Sequence, residues 1–232
     1  MSFLDWIDSI LNLFYPRVCA ACGEPLLKGE ETVCLKCLHQ LPRTGYERYP
    51  ENPMMQSFYG RVNLHAATAC FFFAKSGKVQ HLIHELKYKG NKEAGLFLGH
   101  QIGESIKDAP LFQGIDLLIP VPLHPKRERK RGYNQSLLIA NGISEATGIP
   151  IGEHYLVRTV YNETQTHKNA EERYHNVQGI FETRFAEELK GKHVLLVDDV
   201  LTTGATLESC AHELEKIPGI TISVASAACA GN

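Results

Sequence analysis

The stretch Leu195-Leu196-Val197-Asp198-Asp199-Val200-Leu201-Thr202-Thr203-Gly204-Ala205-Thr206 brings an apolar run, an acid pair and a small-residue turn together. Leu195-Leu196-Val197 has the composition of a buried strand. It ends in two adjacent carboxylates, and Thr202, Thr203, Gly204, Ala205 and Thr206 follow before a helical pattern begins. Gly204 permits a backbone shape closed to most residues, so successive amides can point at one anion. Threonine hydroxyls and a helix start add donors and a positive dipole end. A dianionic phosphate suits such a turn. Asp198 and Asp199 stand one loop away, near the spacing between a sugar 5'-phosphate and its 2'- and 3'-hydroxyls, which carboxylates accept as donors. The plainer alternative is an Asp that caps the helix beside ordinary capping threonines. Two acids, three threonines and a glycine in register weigh against it. The sequence holds no G-x-x-x-x-G-K-[ST] and no G-x-G-x-x-G after a strand, so neither an NTPase nor a dinucleotide site is indicated.

Working outward, Ala66 to Ala74 reads as a strand. Gly77 to Lys89 reads as a helix, with Val79, Leu82, Ile83 and Leu86 at helical spacing, and a second helix follows from Lys92. Ile115 to Val121 is a further strand, ended by Pro120 and Pro122. A basic loop comes next, then a helix over Asn134 to Thr147 closed by Gly148 and Pro150. His193 to Val197 is a strand, Ala205 to Ile217 a helix, and Ile220 to Ala228 a last strand. Strands separated by helices of this length predict an α/β fold: a parallel sheet with helices on both faces and ligands beyond the carboxyl ends of the strands.

Composition bounds the rest. The chain has 232 residues, 44% hydrophobic and 22% charged, with a formal charge of -2. That is an ordinary globular composition, and it excludes a globally basic nucleic-acid binder. Apolar stretches fall far short of the roughly 20 residues needed to span a bilayer, so no membrane span is expected. Met1 to Phe14 carries Asp5 and Asp8 and no Lys or Arg. Phe3, Leu4, Ile7, Ile10, Leu11 and Phe14 share one side of a helix there, so residues 1–16 read as an amphipathic helix docked on its own protein or on a partner. Residues 46–63, rich in Pro, Asn, Tyr and Arg without a period, read as a linker to a domain over 64–232.

Of the seven cysteines, four form two C-x-x-C pairs, Cys19-Ala-Ala-Cys22 and Cys34-Leu-Lys-Cys37, with eleven residues between them. That spacing closes a tetrahedral thiolate site, with zinc as the default metal, and places the module at residues 17–45. A redox couple normally opens a helix and does not occur twice. Four thiolates leave no open position for substrate, so the metal is expected to be structural, in a protein of a reducing compartment, the cytoplasm. Cys70, Cys210 and Cys229 read as small buried hydrophobes.

The residues carry a family resemblance. Leu195 to Thr206 resembles the phosphoribosyl pyrophosphate (PRPP) loop of type I phosphoribosyltransferases. The four-cysteine module, Pro120-Val121-Pro122-Leu123, Arg131-Gly132-Tyr133-Asn134-Gln135, Gln165, Arg173 through Asn176-Val177, and Phe181 together resemble the bacterial competence protein ComF family, from about Cys19 to Ala228. The resemblance implies a type I phosphoribosyltransferase-like sheet and magnesium-bound PRPP as ligand. Asp198 and Asp199 would be its catalytic and ribose-holding residues, and Thr202 to Thr206 would hold its 5'-phosphate. It also implies a role in natural competence and DNA uptake.

Lys126, Arg127, Arg129, Lys130 and Arg131 lie where the resemblance puts the pyrophosphate loop. Positive charge there would stabilise departing pyrophosphate, or contact a nucleic-acid backbone, or simply be a solvated charge run. Arg127, Arg131, Lys87 and Arg173 are the candidate phosphate contacts. Arg158 to Phe181 is polar and irregular enough to cover the site. Two functions are therefore expected: a phosphoribosyltransferase whose acceptor nucleophile has no visible general base, or a non-catalytic protein binding single-stranded DNA or competence-machinery partners.

Overall fold

The computed structural model describes residues 17–159 and 180–230. The expected helix over 1–16, Gln165, Arg173 and most of the expected cover lie outside them. The strands are β1 (Ala66–Phe73), β2 (Leu117–Pro120), β3 (Leu156–Arg158), β4 (Phe181–Thr183), β5 (His193–Leu201) and β6 (Thr221–Ala230). Four form one sheet in the order β1-β6-β5-β2, every pair parallel, as the strand and helix spacing predicts. β5 and β6 are the inner strands, and Val194 to Val197 and Ile222 to Cys229 are buried. Strands covered on both faces need such continuous apolar runs.

One face carries α3 (Lys78–Tyr88), α4 (Lys92–Ile106) and α6 (Gln135–Thr147), which pack on Leu195, Val197 and Ala225. The other carries α7 (Ala205–Leu214), the short α2 (Pro53–Gln56) and the antiparallel β3–β4 pair, over Val194, Leu196 and Val224. Asn91 and Asn134 cap α4 and α6, accepting from the amides of Ala94 (3.2 Å) and Ser136 (3.0 Å). The backbones of α4 and α6 touch where they cross. A Cβ on Gly99 would stand 2.1 Å from the Ile139 carbonyl oxygen, and one on Gly142 2.2 Å from that of Leu96.

Three features depart from the sequence reading. Residues 46–63, expected as a linker, form a 3-10 turn (Tyr46–Arg48) and then α2. Asn52 organises them: its Oδ1 accepts from the Met55 amide, and its Nδ2 is shared among the carbonyls of Tyr46, Tyr49 and Ala67. Met54 and Phe58 are thereby buried. A one-turn helix is too short to show a period. The expected basic loop is instead a helix, α5 (Pro125–Arg131). Pro125 occupies its first turn, His124 caps it by accepting from the Lys126 amide (3.1 Å), and Gly132 closes it at φ +86°. Finally, β5 continues past Val197 through the acid pair to Leu201, because Asp198, Val200 and Leu201 pair with Ser226, Ala228 and Cys229 of β6.

The four-cysteine module shares the core of the sheet. Cys19, Ala20, Ala21, Val33, Cys37 and Leu41 belong to the same buried cluster as Phe71, Val79 and Leu82. Residues 42–44 run antiparallel along β1: the Thr44 amide donates to the Cys70 carbonyl (3.1 Å), and the Phe72 amide to that of Pro42 (2.8 Å). They cover the edge that β1 would otherwise expose.

The helix crossing predicts a sharp sensitivity. Gly99→Ala must force α4 off α6 and should cost at least about 2 kcal/mol, read as a lower denaturant midpoint in chemical unfolding. A loss under about 0.5 kcal/mol would mean that the two backbones are not in contact.

Candidate functional site

The two cysteine pairs converge. All four sulfurs lie within 4.8 Å of one another, and Cys22 Sγ and Cys34 Sγ are 3.9 Å apart. A tetrahedral zinc with thiolate bonds of about 2.3 Å sets its sulfurs about 3.8 Å apart. Local turns make the geometry. Gly23, at φ +79°, donates its amide to the Cys19 carbonyl (2.8 Å), and the Cys34 amide points at Cys19 Sγ (3.3 Å). Burial works to raise the Cys19 thiol, but the amides of Cys34, Ala21 and Cys22 outweigh it and hold the group at about 7. Cys37 lies in the first turn of α1 (Leu35–Gln40) and is buried, which pushes its thiol up to about 12 when no cation is present. Glu30 ties the two knuckles together by accepting from the Leu27 (2.7 Å) and Leu35 (2.8 Å) amides. The donor set and spacing fit structural zinc.

A second site lies at the carboxyl end of the sheet. β5 leaves into α7 on one face, whereas its neighbour β2 leads into α6 on the other. The crevice between their tips is a topological switch point, the place where open parallel sheets bind ligands. Asp198 sits there, just past the end of β2. Its Oδ1 accepts from Ser136 Oγ (3.1 Å) and from the Asp199 amide (2.8 Å). Burial chiefly, and then the charge of Asp199, push Asp198 up to about 7, against the pull of that amide, Lys87 and Ser136. Lys87, at the end of α3, meets Asp199 Oδ1 at 2.8 Å.

The inward and outward alternation of β5 slips at this pair. Leu195 and Val197 face α3, α4 and α6, and Val194 and Leu196 face α7; beyond the acids Val200 packs with the first group and Leu201 with the second. Val200 is three positions after Val197, an odd step that should change face and does not, so one step across Asp198 and Asp199 does not alternate. Ala227 with Ala228 in β6, and Cys70 with Phe71 in β1, show the same slip. The acid pair therefore lies on a fault that crosses three strands.

Immediately beyond β5, Thr202 and Thr203 are exposed and Gly204 adopts φ +77° as the residue before α7. A Cβ on Gly204 would lie 3.1 Å from the Phe58 ring. Ala205 and Thr206 open the helix, with Thr206 exposed. The left-handed glycine, the two exposed hydroxyls before it and the helix start thus stand together, as read from the sequence.

Of the candidate cations, Lys87 reaches the acid pair directly. Arg131 lies over the Tyr88 ring at 5.7 Å, and Arg127 shares an electrostatic neighbourhood with Arg158 of β3. Sequence reasoning did not single out Arg158, which is held below its usual range by burial first and Arg127 second, with Asp198 opposing. Nor did it single out Ser136 or the buried Gln135, whose Nε2 has no partner among the described residues. Gln135 closes the Arg131 to Gln135 motif and Ser136 follows it directly, which was the available signal.

Comparison with known proteins agrees with this architecture. Residues 129–229 match the family described as a phosphoribosyl transferase domain, and residues 10–48 the one described as a double zinc ribbon domain. DNA utilization protein YhgH of Salmonella typhi is 30% identical over 146 residues, 62% of this chain and 63% of that protein. Competence protein F of Haemophilus influenzae is 31% identical over 140 residues, 59% of this chain and 61% of that protein. Competence protein ComFC of Bacillus subtilis is 37% identical over 95 residues, 41% of this chain and 36% of that protein. Each match spans less than two thirds of the relative's length. The fold is a phosphoribosyltransferase-like parallel sheet joined to an amino-terminal zinc ribbon.

Two outcomes follow from the geometry. Removing zinc with a chelator should lower the melting temperature of the whole protein and release amide protection across residues 17–44 and β1, because the module shares the sheet's core. An unchanged fold after metal removal counts against a structural site. The raised Asp198 gives a pH signature. Between the ordinary carboxylate range and about 7, the folded protein keeps a proton that the unfolded chain has released, so stability falls as pH rises through that window. Asp198→Asn should therefore raise the melting temperature by a few degrees at pH 8 and make little difference near pH 4, as calorimetry at both pH values would show.

Proposed function

We propose that this chain, which is similar to competence protein F and competence protein ComFC, binds magnesium-bound PRPP in the crevice between β2 and β5, within a role in handling incoming DNA. The observation that carries this reading is the contiguity of the acid pair and the Thr202 to Thr206 turn at a topological switch point. Asp198 and Asp199 accept the ribose hydroxyls, and the turn gives its amides and hydroxyls to the 5'-phosphate. Ligand hydroxyls that donate to Asp198 favour its ionised form, offsetting the burial that raises it. Lys87, already beside Asp199, supplies positive charge to the same crevice.

Magnesium bound to the pyrophosphate would help to neutralise the leaving group. The chain's own residues orient the sugar, so positioning and charge stabilisation account for transfer to a nitrogen nucleophile without a covalent intermediate. Arg127, Arg131 and Arg173 remain the proposed contacts for pyrophosphate or a nucleic-acid phosphate. The four clustered cysteines support a reducing compartment, the cytoplasm, as where the protein works.

A second reading has its own support. Helix α5 buries none of its residues and carries Lys126, Arg129 and Lys130 exposed, a basic surface fit for a single strand's backbone or a partner of the competence machinery. Calorimetric titration separates the readings. Magnesium and PRPP should bind the wild type and bind the Asp198→Asn/Asp199→Asn variant at least about a hundredfold more weakly, since each charge-assisted hydrogen bond contributes about 1.5 to 3 kcal/mol. Absence of binding to either protein, together with salt-sensitive binding of single-stranded DNA, would leave only the second.

A further inference from the structure

We propose that Arg61 is a positioning residue for the phosphate turn, and that it works by bracing Thr203 and by neutralising the buried Glu208. The proposal rests on the sugar-phosphate reading above for its ligand, although its structural half stands without one. Arg61 follows α2, 147 positions before the carboxylate it meets. Its Nη1 donates to the Ser57 carbonyl at 3.0 Å and to the Thr203 carbonyl at 3.3 Å, while Nη2 pairs with Glu208 Oε2. One planar guanidinium thus joins the α2 segment, the turn and the first part of α7, a geometry that the point charge of a lysine does not reproduce.

The electrostatic half follows from where Glu208 stands. It is buried, and its amide donates to the Gly204 carbonyl at 2.9 Å, so its charge sits one helical turn from the glycine of the anion-accepting turn. A carboxylate near a helix start is favoured by the dipole, and for that reason it competes with any phosphate drawn to the same end. Left unpaired, it would weaken the turn as an anion site and remain a costly buried charge. Arg61 removes that competition. His212 lies farther off, 3.9 Å from Glu208 Oε1, and is exposed. From the same segment, Phe58 packs against Gly204, where a Cβ would stand 3.1 Å from its ring. Residues 57–61 therefore hold the turn from below by packing, by hydrogen bonding and by charge.

The test compares full-length wild type with Arg61→Ala, Arg61→Lys and the double variant Arg61→Ala/Glu208→Gln. Two readouts are used: amide hydrogen exchange without ligand, and titration with ribose 5-phosphate. Arg61→Ala should speed exchange across residues 203–206 at least about tenfold, leave β6 protected, and weaken ribose 5-phosphate binding at least about tenfold. The double variant should recover most of the affinity while the turn stays fast to exchange, an outcome that loss of stability alone does not produce. Arg61→Lys should fall between, and it serves in place of Arg61→Ala should the latter fail to fold. Unchanged exchange in the turn, or a loss of affinity that Glu208→Gln leaves in place, overturns the assignment. Failure of the wild type to bind ribose 5-phosphate counts against the ligand reading alone, and the exchange comparison then decides the brace by itself.

Discussion

β5 is held between two parallel neighbours and under helices on both faces, and nearly everything else follows from where that confinement stops. Up to Val197 the strand is fully enclosed, and the two interior strands are apolar almost without interruption. β2 ends at Pro120, one residue short of the acid pair, while β6 continues alongside. Asp198 therefore emerges where one side of the sheet has opened and the other has not. That half-open position lets a carboxylate face a crevice without being lost to bulk water. It also exacts a cost, seen in an acid pushed far above its ordinary range.

The crevice is built by elements far apart in the chain. Ser136 arrives from the capped start of α6, Lys87 from the end of α3, Arg158 from β3, and Arg61 from the segment before β1. Ser136 is placed by a helix cap and Arg158 by strand pairing, neither of which depends on charge. Asn134 fixes α6 by accepting from Ser136 and donating to the Val121 carbonyl (3.1 Å), and the glycines of α4 and α6 set how close those two helices lie to each other. Packing decides where the polar groups stand, and the polar groups then decide what the crevice accepts.

The zinc ribbon belongs to the same economy of burial. Too short to enclose apolar residues by itself, it gathers four sulfurs at a spacing that fits zinc and adds its few hydrophobic side chains to the cluster beneath β1. The strand-like residues that leave it close the sheet's edge. The four-cysteine cluster and the crevice are thus parts of one packed body, joined through β1 and the α2 segment that packs against the Thr202 to Thr206 turn.

The sequence by itself determined what is contiguous: two C-x-x-C pairs at metal spacing, apolar strands alternating with periodic helices, and an acid pair running into threonines and a glycine. Each of these depends on interactions over a few residues, where spacing and composition are enough. It did not reveal that the basic run is a capped helix, since seven residues show no period, nor that residues 46–63 are packed, since their helix is a single turn. Tertiary structure alone decided the slip in β5, which is shared with β6 and β1, the approach of Ser136 and Arg158 to Asp198, and the pairing of Arg61 with Glu208. These are contacts between residues tens to more than a hundred positions apart. Only the sheet's packing brings them within reach, and no local pattern encodes that.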